Sequence, residues 1–157
     1  MRLTKREITD KQALLDIFAC GKVLHLAFQD EEGIAIYPVN YGYRERNGVL
    51  ELVFHGAVAG RKATYFADGG HVSFEVETDG QLITGAYACA YSYAYRSVMG
   101  AGDVRLIKDS EEKKECLDVL LDHLSGKTES RTYTDEALLR TNVYVLSVTS
   151  MTGKQRA

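Results

Sequence analysis

The stretch from Ile34 to Phe66 restricts the fold more than any other part of the chain. It reads as a strand carrying Tyr37-Pro38-Val39-Asn40-Tyr41-Gly42, a turn at Arg46-Asn47-Gly48, a second strand from Val49 to His55, and then Gly56-Ala57-Val58-Ala59-Gly60-Arg61-Lys62 leading into a helix. Asn-Gly tolerates the positive φ angles of a tight hairpin loop, so the two strands are expected as antiparallel neighbours. Pro38 has no N–H to give to a ladder, which puts it at an edge, at a bulge, or beside something other than a strand, a flat ligand included. Gly56 and Gly60 let backbone N–H groups turn inward, and Arg61-Lys62 stands where a helix N-terminus adds its positive dipole end. The nucleotide P-loop has four residues between its glycines and a Ser or Thr after the Lys. Here three intervene and Ala63 follows. Two readings stand: a metal-free cradle for a phosphate that is held rather than transferred, or a hairpin followed by a basic surface turn.

The rest of the chain fits one domain over residues 1–157, with 45% apolar residues to fill a single core. Thr9-Asp10-Lys11-Gln12 reads as a capping box for a helix from about Asp10 to Cys20, with Ile8 stapled against Ala13. Val23 to Gln29 alternates, with Leu24, Leu26 and Phe28 on one face, and turns at Asp30-Glu31-Glu32-Gly33 into the strand that holds Pro38. A short helix from about Arg61 to Ala67 precedes a strand from His71 to Glu77 and a turn at Thr78-Asp79-Gly80. The run Ala86-Tyr87-Ala88-Cys89-Ala90-Tyr91-Ser92-Tyr93-Ala94-Tyr95, part of a chain with 10 Tyr, has the period of two that a strand presents coherently. Its Tyr face suits a subunit interface or plain core packing. A strand to about Ile107 follows, then a helix capped by Asp109 with a Leu117, Leu120, Leu121, Leu124 stripe, a short helix over Thr134 to Arg140, a strand from Asn142 to Ser150 and a basic tail from Gly153. Strands joined mostly by hairpins, with helices as inserts, indicate an α+β, mainly β protein built on an antiparallel sheet or closed barrel.

Several partners and chemistries lack support. Net charge is −3 with scattered Lys and Arg, so neither nucleic acid nor an anionic membrane is an expected partner. No apolar run reaches the length of a membrane span, and a cytoplasmic location is expected. Cys20, Cys89 and Cys116 have no C-x-x-C spacing and read as free thiols. His25, His55, His71 and His123 show no metal-ligand spacing, so no metal is expected. No Ser lies in a G-x-S-x-G setting. His55, at a strand end just before the glycine loop, is either a residue beside whatever the loop holds or a strand-end histidine facing solvent.

Pro38-Val39-Asn40-Tyr41-Gly42-Tyr43, Phe54-His55-Gly56-Ala57 with Gly60-Arg61-Lys62, Cys89 with Ser92, Tyr95-Arg96-Ser97-Val98 leading to Gly100 and Gly102, and Thr152-Gly153-Lys154 fall in an order that covers nearly the whole chain. Together they resemble the pyridoxamine 5′-phosphate oxidase-related flavoproteins, in the branch that includes the 5-nitroimidazole resistance proteins. The resemblance implies a six-stranded antiparallel split β-barrel with peripheral helices, a homodimer, and one FMN per subunit in a cleft between the chains. By position, Arg61 and Lys62 would bind the FMN phosphate, with Arg96 and Ser97 near the phosphate and ribityl chain. Val39, Asn40 and Tyr41 would lie along the isoalloxazine ring, and His55 would sit near the flavin as the candidate catalytic residue. Tyr91 and Tyr93 stand where relatives often carry Trp and Met, a departure that bears on the substrate pocket more than on the cofactor.

The implied activity is FMN-dependent electron transfer from a reduced donor such as NAD(P)H to a small-molecule acceptor, nitro-aromatic compounds among them. A non-catalytic flavin, haem or small-molecule binding protein is the alternative from a different class. Pyridoxamine 5′-phosphate oxidation ranks lower, because the sequence shows no second cluster of basic residues for a substrate phosphate.

Overall fold

The computed structural model describes residues 4–129 and 131–156. After a short 3-10 turn (Thr4–Arg6) its elements are β1 (Glu7–Ile8), α1 (Lys11–Cys20), β2 (Val23–Asp30), β3 (Gly33–Arg46), β4 (Val49–Ala57), α2 (Arg61–Tyr65), β5 (Gly70–Ile83), β6 (Ser92–Ile107), α3 (Ser110–Ser125), α4 (Asp135–Leu139) and β7 (Thr141–Arg156). Strand order is β1-β7-β4-β3-β2-β5-β6, and β6 pairs back onto β7. The six long strands therefore close on themselves, and two-residue β1 adds to the edge of β7 at Ile8↔Gly153. Every pairing of these strands is antiparallel.

The alternation read from the sequence fills this barrel. Leu24, Leu26 and Phe28 of β2 point inward to meet Leu52 and Phe54 of β4, Val72, Phe74 and Val76 of β5, and Tyr144 and Leu146 of β7. Phe18 of α1 is fully buried among them. The β3–β4 turn forms at the expected place, with Asn47 at φ 53°. A second, smaller cluster lies outside the barrel, where Val53, Val143 and Val145 meet Ile107 and Cys116 under α3. Gly42 allows that packing: a Cβ there would stand 2.4 Å from the Val119 carbonyl oxygen of α3.

Four details differ from the sequence reading. Asp10, not Thr9, caps α1, with its carboxylate accepting from the Ala13 amide at 2.8 Å. The Asp10 carboxylate, one residue further on, takes the cap in place of the Thr9/Gln12 pair, and the Gln12 amide donates to Asp16 instead. Thr78-Asp79-Gly80 is no chain reversal but an irregularity between Thr78 and Gln81, beyond which β5 runs on to Ile83. The turn therefore falls later. Residues 84–91 form the connection, with a 3-10 turn at Ala88–Ala90, and only Ser92 to Tyr95 of the Tyr-rich run lies in a strand. Alternation needs a ladder partner, and pairing ends at Ile83↔Ser92. Finally, the basic tail belongs to the sheet: β7 continues to Arg156, paired with Tyr95.

Candidate functional site

β3 changes neighbours half-way along, and this creates the site. Residues 33–40 pair with β2, whereas Tyr41 to Arg46 pair with β4. Pro38 thus sits where β3 has a single ladder partner, one of the placements its missing N–H demands. Along this half Ile34, Ile36, Pro38 and Asn40 face outward and are exposed, while Ala35 and Tyr41 face the core. The Asn40 amide donates to the Lys22 carbonyl at 2.9 Å. Tyr41 is fully buried and its hydroxyl donates to the Phe18 carbonyl at 2.7 Å, so only its backbone can face a ligand. Burial also pushes the Tyr41 phenol well above its ordinary range.

Just beyond the last β3–β4 pairing, Tyr41↔Phe54, His55 is exposed on the outward side of its strand, and its backbone pairs with Val143 of β7. Desolvation, with the Lys62 ammonium as a second cause, holds its imidazole below the usual histidine range. Lys62 folds back from α2 across the place a side chain on Gly56 would fill, since a Cβ there would lie 2.7 Å from Nζ. Its ammonium donates to the His55 carbonyl at 3.2 Å and lies 5.8 Å from the centre of the Phe54 ring. Burial lowers its pKa. Arg61, the other half of the sequence pair, is engaged inside the chain. Its guanidinium meets both Asp30 carboxylate oxygens, at 2.8 and 2.6 Å, and donates to the Gly33 carbonyl at 2.7 Å. It clamps the β2–β3 turn and, by the same ion pair, holds the Asp30 carboxyl below its ordinary range.

The other two sequence candidates lie elsewhere. Ser97 is on the outward face of β6 and lines a cavity of about 750 Å³ between the α1–β2 junction, β5, β6 and β7. Arg96 borders an adjoining hollow of about 260 Å³ and reaches within 3.9 Å of the Cys20 sulfur. In strand order β2 and β5 lie between these residues and β3, yet Asn40 bonds to Lys22, which lines the same cavity as Ser97. His55 and Lys62 form one group, whereas Asn40 borders that cavity. Sequence reasoning missed Lys22, His25, Tyr95 and Lys154, which line the larger cavity. It missed Lys154 because a strand was read as a tail. It also counted no second basic cluster, which the pairing of β6 with β7 supplies.

The six long strands form a split barrel, with one edge of β3 open along residues 33–40 and the Lys62–His55 contact at the end of β4. The chain belongs to the pyridoxamine 5′-phosphate oxidase family, whose model matches residues 10–155. No curated protein matches it. Among solved structures, a candidate 5-nitroimidazole antibiotic resistance protein from Bacteroides thetaiotaomicron is 28% identical, with a TM-score of 0.80 over 95% of this chain and 86% of that one. A FAD and haem binding protein from Mycobacterium smegmatis, 23% identical, gives 0.81 over 96% of this chain and 73% of the other. A flavocytochrome from Azotobacter vinelandii, also 23% identical, gives 0.79 over 100% and 72%. The last two likenesses show the fold alone. No helix among the described residues is long and apolar enough to cross a membrane.

Proposed function

We propose that this chain is an FMN-binding oxidoreductase of the cytoplasm, working as a homodimer that passes electrons from NAD(P)H to a small electrophile, nitro-aromatic compounds among them. The observation that carries the reading is the Lys62–His55 corner at the end of β4: an ammonium held by a backbone carbonyl beside an exposed imidazole, with Asn40 exposed on the half of β3 that has a single ladder partner. Gly56 leaves the space that Lys62 crosses, and a phosphate offers that ammonium a better acceptor than a carbonyl. FMN fits this donor set, with Lys62 as the phosphate ligand and Arg61 as its partner from the clamped turn. Backbone groups of Val39 and Tyr41 and the side chain of Asn40 would orient the ring. When bound, the flavin supplies the electron transfer; the protein supplies position and protons. His55 holds a proton next to the ligand and delivers it to the reduced acceptor.

The homodimer is supported by the outward face of β3, where Ile34 and Ile36 are 75% and 67% exposed. Such an apolar stripe on a monomer is a covering surface in waiting. Exposure of Tyr87, Tyr91 and Tyr93, at 71%, 51% and 54%, removes core packing as the role of those side chains. A dimer cleft would give Arg96 and Ser97 a flavin to contact despite their distance from Lys62 within one chain.

The test is the absorbance spectrum of the purified protein followed by anaerobic mixing with NADH or NADPH and a nitroimidazole or quinone acceptor. Flavin bands that bleach on mixing and recover with the acceptor are expected. Flavin that neither nucleotide reduces would make the chain a simple binder. His55→Gln should keep flavin content and slow acceptor reduction on the order of 10²-fold, the low end for losing a general acid.

A further inference from the structure

The registers across the open face set one titratable pair among uncharged neighbours. His25 stands opposite Pro38 on one side and Glu75 on the other, and Glu75 stands opposite Met99, so these four side chains form one outward row across β3, β2, β5 and β6. His25 Nδ1 meets a Glu75 carboxylate oxygen at 3.1 Å, the two side chains being 38% and 29% exposed. In the flanking outward rows of these four strands only Glu77 carries a charge. Lys154 of β7 comes next along that row, opposite Ser97, with its Nζ 5.5 Å from the centre of the Tyr95 ring.

Covering this face takes the pair out of water, and the cost depends on its net charge. With one proton between them, imidazole and carboxylate are neutral as a pair, whichever of the two carries it. With none the pair keeps a charge of −1, and with two a charge of +1. Desolvation already acts here: burial pushes the Glu75 carboxyl above its ordinary range, against the His25 bond and with help from Glu77. An imidazole ordinarily gives up its proton at about pH 6.5, so the costlier state without a proton is the one met in alkaline solution. Outside the pair the patch holds one acid, Glu77, and one base, Lys154. A face so balanced is its own electrical complement, as an isologous contact between two copies requires, and it offers no net charge to a charged partner of another kind. Ile34 and Ile36, exposed on the same side of β3, add apolar area beside it.

We infer that a second copy of this chain covers the open face only with one proton held on each His25–Glu75 pair, so that dimerisation takes up protons in alkaline solution. The inference rests on the homodimer reading above and adds its control. Because the pair is better covered with its proton than without, association is strongest below the imidazole range and is lost as pH rises through and above it. A second proton opposes association again in acid.

Sedimentation equilibrium of a dilution series from about pH 6 to about pH 9 tests this. The dimer dissociation constant should rise at least about tenfold between pH 6.5 and pH 8, with a ceiling of about a hundredfold per pH unit for two protons per dimer. His25→Gln should leave a weaker dimer whose constant no longer changes over this range, because Glu75 stays charged. Glu75→Gln should reverse the slope, giving a dimer that is tight where the imidazole is neutral and weakens as it gains a proton. If the dimer survives the lowest concentration, its denaturant midpoint at fixed protein concentration should carry the same slopes, falling with pH in the wild type and rising in Glu75→Gln. A dimer indifferent to pH, a slope that persists in His25→Gln, or one that keeps its sign in Glu75→Gln overturns the inference and leaves the homodimer standing. A slope found in flavin affinity at constant oligomeric state would put the cofactor, and not a second copy, over the pair. A chain that stays monomeric at every pH ends the homodimer reading itself, and this inference with it.

Discussion

The barrel has two outer faces made largely by different strands and finished in different ways. Under α3, the outward residues Val53, Val143 and Val145 are fully buried against Ile107 and Cys116, and even an acid, Glu51, is buried there by pairing with Arg44 at 2.8 Å. On the face made by β3, β2, β5 and β6, outward residues of the same apolar kind stay in solvent. Ile34 and Ile36 flank Pro38, and His25 pairs with Glu75 at 3.1 Å while both remain partly exposed. A sixteen-residue helix covers one face, whereas Ile34 and Ile36 on the other are exposed among the described residues. The candidate ligand groups cluster along the face left open. A covered sheet face needs only shape and hydrophobicity, whereas an uncovered one keeps its backbone edge and its polar side chains available to something outside the chain.

Matched substitutions break this comparison most strongly. Val145→Asp puts an unpaired carboxylate into a fully buried place and should cost more than about 4 kcal/mol, leaving little folded protein. Ile36→Asp, at a position 67% exposed, should change the intrinsic stability of the chain by less than about 0.5 kcal/mol, yet abolish self-association. Denaturant unfolding at low protein concentration and light scattering read the two effects separately. If Ile36→Asp stays dimeric, the open face is not the dimer face.

The next effect sharpens the border between the faces. Arg61→Ala and Lys62→Ala are adjacent in sequence but should differ. Loss of Lys62 should weaken FMN binding at least about tenfold with the fold intact, as expected for a hydrogen bond to a charged group. Arg61→Ala should weaken FMN binding and also lower the melting temperature, because Asp30 and the Gly33 carbonyl lose their donor. The double variant should lose about a hundredfold or more. Fluorescence titration of FMN with parallel melting curves distinguishes these outcomes; wild-type affinity in the double variant would remove the phosphate assignment.

How much of this was legible beforehand varied with the range of the interaction. Local signals read well: Asn47-Gly48 made its turn, Asp109 capped α3 through the Glu112 amide at 2.9 Å, and the inward residues of β2 and β5 are core. Local alternation without a partner read badly, as residues 86–91 show, because a strand exists only where another strand lies beside it. Register was not legible at all. That is why Lys154 looked like a tail residue and why its place over the Tyr95 ring was invisible. The pair Arg61-Lys62 was legible as charge, but its division into an internal clamp and an available ammonium depends on Asp30, thirty-one residues away. Val53, Val143 and Val145 were legible as apolar but not as a second core, since that role requires Gly42 to admit α3.

The smallest expected effect compares two histidines, one on each side of that border. His123, near the end of α3, packs against the rings of Tyr41 and Tyr43 and donates from Nε2 to the Gly21 carbonyl at 2.8 Å. His55 faces the open corner. Desolvation lowers the pKa of both, aided by Lys62 at His55 and by Lys22 at His123, where the Gly21 contact opposes the shift in part. In the unfolded chain both return to about 6.5. As pH falls from that value towards the folded-state pKa values, the unfolded chain binds more protons than the folded one, so stability is present above about pH 6.5 and is lost below it. His123→Gln and His55→Gln should each flatten part of that loss, measured as the denaturation midpoint against pH. The two are then separated by ligand: added FMN should change the His55 share, because the cofactor covers the open corner, and leave the His123 share as it was. An FMN-independent slope in His123→Gln would place His55 outside the flavin site, whereas an FMN-dependent one keeps the proton donor beside the ring and the structural histidine under the helix.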